Sequence, residues 1–388
     1  MQGALTVLFF SDTYRPYVSG VVTSIDTYAA ELRKLGHRVV IVGPDYPGVP
    51  EEPDVVRIPS VPLPAYPNLR LIAPVTPGLI SRLSDLRPDI VHIHSPFAVG
   101  LLGIYVARVT GSPAVFTCHS FYEEYTRYLP PLSQPLKSVV RRYLLKFCSY
   151  CQLVLAPSGH LRDFLAEIGV EPALEVLPTG VEPPQGGASR SREAPRREGR
   201  TFVMAFVGRL GKEKNIDLAL QTVFELTSGQ TVRERDRWRL LVIGDGPESQ
   251  RLMRLAVELG IKSLVAFLGE LPRDRVFATL RVADCLVFPS TVETQGLVML
   301  EAMSVGLPVV AAESPAAIEL ITDGVEGFLA PADPGAMARA VRRLASNADV
   351  KSRMGEAAAA RCTAFRPSEL ARRLTALYGA LRVPNENS

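Results

Sequence analysis

Two carboxylates carry the first chemical suggestion in the chain. Glu293 and Glu301 stand in the stretch Pro289-Ser-Thr-Val-Glu-Thr-Gln-Gly-Leu-Val-Met-Leu-Glu-Ala-Met-Ser-Val-Gly306, directly behind an apolar run, Cys285-Leu-Val-Phe288. The run reads as a buried strand. The spacing predicts a helix starting near Thr294 or Gln295, capped by Thr294 and stopped by Gly306 and Pro308. A helix N-terminus behind a parallel strand offers N–H groups and a positive dipole end, which together make an anion site. Gly296 lets a phosphate come close to the backbone. Acids beside such a site repel the anion unless they hold something else, and sugar hydroxyls need acceptors. The pair therefore points to a ligand with both phosphates and hydroxyls, such as a nucleotide sugar. The plainer alternative is a loop acid and an exposed helix acid.

Cations and glycines at other strand ends fit the same ligand. Arg209 and Lys214 follow the apolar run Phe202–Val207, and both reach the carboxyl end of that strand. Two cations there stabilise charge growing on a leaving diphosphate; otherwise they are two surface bases. Gly20, with Val21 and Val22, follows the first strand and can present backbone N–H groups to a phosphate. It is neither a Gly-Lys-Ser/Thr phosphate loop nor a G-x-G-x-x-G dinucleotide loop, so NAD is unsupported. His94 and His119 each end a strand, where an imidazole donates to a sugar hydroxyl or helps an oxocarbenium-like transition state; the alternative is a structural histidine. His92 aims at the same face as His94, but no third ligand for zinc is evident. Asp12 and Glu123 are further carboxylates near strand ends, and no Asp-x-Asp metal-diphosphate clamp occurs.

The elements that must position these groups alternate strictly. Strand, loop and helix repeat through Leu5–Phe10, Arg38–Val42, Ile90–His94, Ala114–His119, Val154–Pro157 and Glu175–Pro178. They resume at Phe202–Val207, Trp238–Ile243, Val265–Leu268, Cys285–Phe288 and Pro308–Ala312. Alternation of this kind gives parallel sheets with helices on both faces, and ligands bind outside the strands' carboxyl ends. The expected class is α/β, with two Rossmann-like doubly wound domains facing across a cleft. Residues 1–182 form the first and 201–365 the second. Residues 183–200, with paired prolines, paired glycines and five arginines, form an exposed linker. Residues 366–388 form a last helix placed to cross back to the first domain.

Composition narrows the class. The chain has 388 residues, 47% hydrophobic and 21% charged, as in a globular protein of two domains. A net charge of +3 gives no argument for nucleic acid. No apolar run approaches the ~20 residues of a membrane span, and the N-terminus reads as a strand rather than a signal peptide. Five irregularly spaced cysteines, including a C-x-x-C at Cys148 and Cys151, read as reduced thiols in a cytoplasm. One helical stripe, Leu136, Val139, Val140, Tyr143, Leu144 and Phe147, is flanked by Lys137, Arg141, Arg142 and Lys146. In a first domain with 15 bases and 15 acids over residues 1–180, that cluster is local, and such a helix can lie on anionic lipid. The alternative is a surface helix packed on its own sheet.

The segments E-T-Q-G-L-V-M-L-E and V-G-R-L…K-E-K-N resemble the large retaining glycosyltransferase family 4 of the GT-B fold, over about residues 5–380. The first domain is similar to the diacylglycerol glucosyltransferase branch, through S-D-T-Y-R-P-Y-V-S-G-V-V-T-S-I, H-S-P-F-A-V-G-L-L-G and F-T-C-H-S-F-Y-E-E-Y-T-R-Y. Many members have Phe where Gln295 stands, whereas that branch resembles this Gln, and Ser19-Gly20 stands where many carry Gly-Gly. The resemblance implies that Glu293 accepts from donor-sugar hydroxyls and that Glu301 holds the ribose. It implies that Arg209 and Lys214 bind the diphosphate with the amides of Gly296, Leu297 and Val298, and that Gly20 lies against the phosphate. His119 is implied near the reacting carbon or the sugar's 6-hydroxyl, and the backbone near Gly269 and Leu271 at the base. Asp12, His94, Tyr122 and Glu123 are expected on the acceptor side.

The implied reaction is retaining and needs no metal or other cofactor. A front-face transfer, with the leaving phosphate taking the acceptor's proton, is the usual proposal. The expected donor is UDP-glucose and the expected acceptor a membrane lipid hydroxyl, diacylglycerol first. The expected location is cytoplasmic, peripheral on the inner face of the cell membrane, with no nucleic-acid partner. The rivals are transfer to a soluble sugar or metabolite, a non-catalytic nucleotide-sugar sensor or membrane scaffold, and a GT-B epimerase or phosphorylase.

Overall fold

A computed structural model describes residues 3–63, 66–128, 133–183 and 201–382. The chain folds as two compact units, Met1–Gly180 with Pro367–Ser388, and Val181–Arg366. Most of the expected linker, residues 184–200, lies outside the described residues.

The first unit holds β1 (Thr6–Phe10), β2 (Arg38–Pro44), β3 (Val55–Ile58), β4 (Ser60–Leu63), β5 (Tyr66–Ile72), β6 (Ile90–Ile93), β7 (Ala114–Thr117), β8 (Leu153–Ala156) and β9 (Ala173–Val176). Seven of these form a parallel sheet in the order β3-β2-β1-β6-β7-β8-β9, while β4 and β5 make a separate antiparallel pair. The continuous apolar runs explain the parallel pairing, because both sheet faces are covered. Leu8 and Phe10 point into one core, Val7 and Phe9 into the other. The last helix, Pro367–Arg382, belongs to this unit. Its Leu370, Ala371, Leu374 and Tyr378 fall at helical spacing and pack with Ile25 and Tyr28 of the helix Gly20–Lys34.

The second unit holds β10 (Phe202–Val207), β11 (Trp238–Ile243), β12 (Val265–Phe267), β13 (Cys285–Phe288), β14 (Val309–Ala312) and β15 (Gly327–Ala330). They form a parallel sheet in the order β12-β11-β10-β13-β14-β15. Met204 and Phe206 of β10 face one core and Ala205 the other.

Both sheets reverse their strand order beside the first strand of the unit. The switch lies between β1 and β6 in the first and between β10 and β13 in the second. Loops leaving adjacent strands at such a point go to opposite faces and open a crevice at the carboxyl ends. Four strands escape the sequence pattern. β3 is short and only half buried, β4 and β5 lie outside the main sheet, and β15 is a four-residue edge strand. All five cysteines are free and buried. Among the described residues no helix is long and apolar enough to cross a membrane.

Candidate functional site

At the switch point of the second unit the expected residues meet. The loop after β10 carries Arg209 and Lys214, and the loop after β13 carries Glu293. The Lys214 ammonium donates to Glu293 Oε1 at 2.5 Å. Two further bonds tie the loops together, Asn215 Nδ2 to the Pro289 carbonyl at 3.3 Å and Ser290 Oγ to the Glu213 carbonyl at 3.2 Å. Close backbone packing holds the first loop: a Cβ at Gly244 would overlap the carbonyl of Gly208, so the turns after β10 and β11 touch because residue 244 is glycine. Arg209 is exposed beside them.

The helix behind Glu293 starts later than its sequence suggests. It spans Leu297–Ser304 with Gly296 as N-cap at φ 74°, and no side chain caps it, so Thr294 does not serve as its cap. The left-handed cap needs glycine, which is a firmer reason for Gly296 than phosphate clearance. Met299 and Leu300 donate back to the Gly296 carbonyl, leaving the amides of Leu297 and Val298 as the outward donors of the first turn. Gln295 is buried next to them.

Glu301 is not an exposed helix acid. Its side chain is 14% exposed, with Arg273 Nη2 3.7 Å from Oε1. Burial raises its pKa and Arg273 opposes the rise. Arg273 opens the helix Arg273–Val282, two residues beyond the half-buried Leu271. Gly269, at φ 67°, accepts from the Gly244 amide through its carbonyl at 2.8 Å, which fixes the β12 end beside the turn after β11. The expectation that two acids repel an anion here changes accordingly, since each acid has its own cation.

The first unit furnishes its switch point differently. Gly20 begins the helix Gly20–Lys34, and Ser19 caps it by accepting from the Val22 amide at 3.3 Å. Val22 therefore has an internal partner, and Gly20 and Val21 supply the outward amides. The Ser in place of a second glycine does the work of a cap. Asp12 is not an open base. One oxygen accepts from Ser95 Oγ at 2.7 Å and the other from the Val99 amide at 2.9 Å, so it caps the helix Ala98–Thr110 and joins β1 to β6. Burial raises its pKa, while these bonds lower it.

Beside Asp12 three imidazoles stack. His92 and His94 lie ring to ring at 4.3 Å, and His94 and His119 at 5.4 Å. His92 is bonded through Nδ1 to the Tyr378 hydroxyl and through Nε2 to the Thr117 hydroxyl, both at 2.6 Å, so neither nitrogen is open to a metal. His94 Nδ1 lies 3.1 Å from His119 Nε2, while His94 Nε2 is buried without a partner. An orphan N–H costs more than an orphan lone pair. The proton of His94 accordingly sits on Nδ1 and is donated to His119 Nε2, which leaves His119 as an Nδ1–H tautomer. Burial keeps all three neutral, pushing His92 down to about 3, His119 to about 4 and His94 well below its usual range.

Glu123 is tied up as well. Arg141 donates to both its oxygens, and Lys137 lies 3.5 Å from Glu124. Half of the expected basic cluster on the helix Ser133–Cys148 is thus neutralised locally, leaving Arg142 and Lys146 exposed. The expected apolar stripe also divides: Leu144 and Phe147 are buried, whereas Val139 and Tyr143 face solvent. Tyr122 packs edge-on against Phe97 at 5.7 Å. Arg273, Ser95 and Tyr378 had no signal in the sequence, because each acts across the fold from its partner.

Comparison with known proteins identifies the family and the fold. Residues 18–184 match the model of "Glycosyltransferase Family 4" and residues 188–361 that of "Glycosyl transferases group 1". The chain is 32% identical over 330 residues to the alpha-monoglucosyldiacylglycerol synthase of Streptococcus pneumoniae, covering 82% of this chain and 74% of that protein. It is 26% identical to a GDP-mannose-dependent alpha-mannosyltransferase of Corynebacterium glutamicum, over 84% and 76%. Among solved structures, Anabaena HepE in complex with UDP superposes with a TM-score of 0.72 at 17% identity, over 97% of this chain and 100% of that one.

Proposed function

The chain belongs to glycosyltransferase family 4 of the GT-B fold and is a hexosyltransferase, and from that premise we propose that it moves glucose from UDP-glucose to the free hydroxyl of a membrane lipid, diacylglycerol first, with retention and without a metal. The observation that carries the reading is the Lys214–Glu293 couple at the β10/β13 switch point, beside the outward amides of Leu297 and Val298. A carboxylate held by an ammonium is oriented to accept from sugar hydroxyls. The ammonium, with Arg209, is placed to take charge from a departing diphosphate. Glu301 receives the ribose and the Gly269–Leu271 backbone the base.

The carboxylates Asp12 and Glu123 are both committed to structural partners. This supports a front-face transfer, in which the acceptor O–H proton passes to the leaving phosphate oxygen as the new glycosidic bond forms. The named lipid glucosyltransferase at 32% identity supports the acceptor. We place the enzyme at the inner face of the cell membrane as a peripheral protein. A second reading, a mannosyl donor from GDP-mannose, is favoured by the mannosyltransferase relative.

The test is a donor screen with UDP- and GDP-sugars, with and without diacylglycerol, quantifying nucleotide release and glycolipid by mass spectrometry. UDP release with a new glucosyl lipid is expected. Release without a lipid product would overturn the acceptor, release only from GDP-mannose would replace the donor, and no release would overturn the transferase reading of this site.

A further inference from the structure

The first unit exposes apolar side chains in a row that its core does not use. On the helix Ala98–Thr110 and its leading residue, Phe97, Leu101, Tyr105 and Val109 are spaced four apart and are 51%, 46%, 51% and 53% exposed. Residues four apart lie on one flank of a helix. The opposite flank, with Val99, Leu102, Gly103 and Val106, is buried against β1 and β6, so the exposed row is additional to the packing face. The neighbouring helix Ser133–Cys148 extends the patch with Val139 and Tyr143, 53% and 39% exposed. Two contacts tie these helices to each other's flanking residues: Tyr143 donates to the Pro96 carbonyl, and Arg108 lies over the Tyr150 ring at 4.4 Å. A contiguous exposed apolar surface of this kind marks an interaction site.

The charges around the row identify what it meets. Between Ile90 and Leu161 the chain has six Lys and Arg and only two acids, Glu123 and Glu124. Both acids are bound to Arg141 and Lys137. Of the other four cations, Arg108, Arg142 and Lys146 are exposed, with Lys146 over the same Tyr150 ring at 4.9 Å. An apolar ridge with exposed cations beside it and amphipathic tyrosines at the boundary suits an anionic lipid surface: the apolar side chains enter the acyl boundary and the cations stay among the headgroups. The ridge also starts near the stacked histidines. Phe97 packs on Tyr122, and the next turn is anchored by the Val99 amide on Asp12, beside the stacked histidines.

We propose that the face formed by Phe97, Leu101, Tyr105, Val109, Val139 and Tyr143, edged by Arg108, Arg142 and Lys146, docks this protein on anionic membrane. The inference deepens the lipid-acceptor reading and takes its purpose from it, since an acceptor drawn from the bilayer would enter beside Phe97. It also adds an apolar row on the neighbouring helix to the expected basic flank, of which Arg142 and Lys146 remain. Arg141 and Lys137 have no part in it.

The test is flotation of the full chain with vesicles of phosphatidylglycerol and phosphatidylcholine, and with phosphatidylcholine alone, at low and high salt. Wild type should bind the mixed vesicles more tightly. Leu101→Ser with Tyr105→Ser should weaken binding about tenfold or more at both salts, because apolar burial is not screened. Arg108→Gln with Lys146→Gln should weaken it only at low salt and only on anionic vesicles. These positions are exposed, and an unchanged thermal melt confirms that the variants fold. Wild-type binding that the Leu101/Tyr105 pair leaves unchanged would overturn the proposal. So would a soluble dimer that this pair dissolves while no vesicle binding is found, since the face would then be a self-interface. Glycolipid synthesis from diacylglycerol in detergent micelles separates the two readings. Activity in micelles without flotation sinks the docking face alone, and flotation without activity on any lipid sinks the acceptor alone.

Discussion

The two units share a topology and a switch point but furnish it in opposite ways. In the second, the groups at the carboxyl ends are charged and paired: Lys214 on Glu293 and Arg273 near Glu301, with Arg209 exposed beside them. In the first, they are neutral imidazoles held by hydroxyls, by stacking and by one another, and the nearby carboxylates are spent on Ser95, a helix amide and Arg141. All five histidines lie in the first unit; the second has none. Under the proposed function the contrast is a division of labour. A diphosphate leaving group changes charge during transfer and calls for cations, whereas a hydroxyl and a sugar ring call for neutral donors in fixed tautomers.

The comparison breaks most sharply at Glu293. Glu293→Ala should abolish transfer with the fold intact, because the sugar loses its acceptor and Lys214 its orientation. Turnover within a few-fold of wild type would move the chemistry out of the charged unit. Next in size, Arg209→Ala and Lys214→Ala should each lower kcat on the order of 100-fold or more, as expected for groups that stabilise developing charge. The readout is steady-state kinetics with saturating donor. Loss confined to KM would make them binding groups only.

The neutral unit is tested by acid. The folded-state pKa values of His92, His94 and His119 lie below the ordinary ~6.5, chiefly through burial. Between pH 6.5 and about 4 the unfolded chain therefore binds protons that the folded unit refuses. Their stabilising effect is complete above pH 6.5 and falls as pH drops, by roughly 2 kcal/mol at pH 5 for each of His92 and His119. The second unit loses stability only lower, where the depressed carboxylates Asp217 and Asp245 protonate. Hydrogen exchange at pH 7 and pH 5 should show protection falling in β1, β6 and β7 while β10 and β13 keep theirs. Equal loss in both units would refute the neutral-stack account.

How much of this was legible depended on the range of the interaction. Alternating apolar runs and loop punctuation marked eleven of the thirteen parallel strands, because burial on both faces leaves a continuous hydrophobic signature. The short edge strands β3 and β15 have little such signature. Glu293, Glu301, Arg209 and Lys214 stood out because their segments end strands, but their pairing did not. Lys214 and Glu293 are 79 residues apart, and His92 and Tyr378 are 286 apart. The start of the helix after Glu293 was misplaced for a local reason: Thr294 is a good cap by type, yet the left-handed turn at Gly296 postpones the helix.

The smallest effect asks whether every cation of the charged unit serves the leaving group. Arg273 is half exposed and 3.7 Å from Glu301, so screening reduces the pair to roughly 1 kcal/mol or less. Burial raises the Glu301 pKa and Arg273 restrains it. Arg273→Ala should raise it further, so the fold loses a little stability at pH 7. The loss should fade as pH falls toward the ordinary carboxylate range of ~4.3, where a protonated Glu301 needs no cation. If Glu301 holds the ribose equally in the ground and transition states, donor KM should rise a few-fold with kcat unchanged. Melts at pH 7 and pH 5 with donor kinetics check both halves. A fall in kcat as large as that of Lys214→Ala would instead group Arg273 with the leaving-group cations, and the division of labour would then run between the units and not also within the second one.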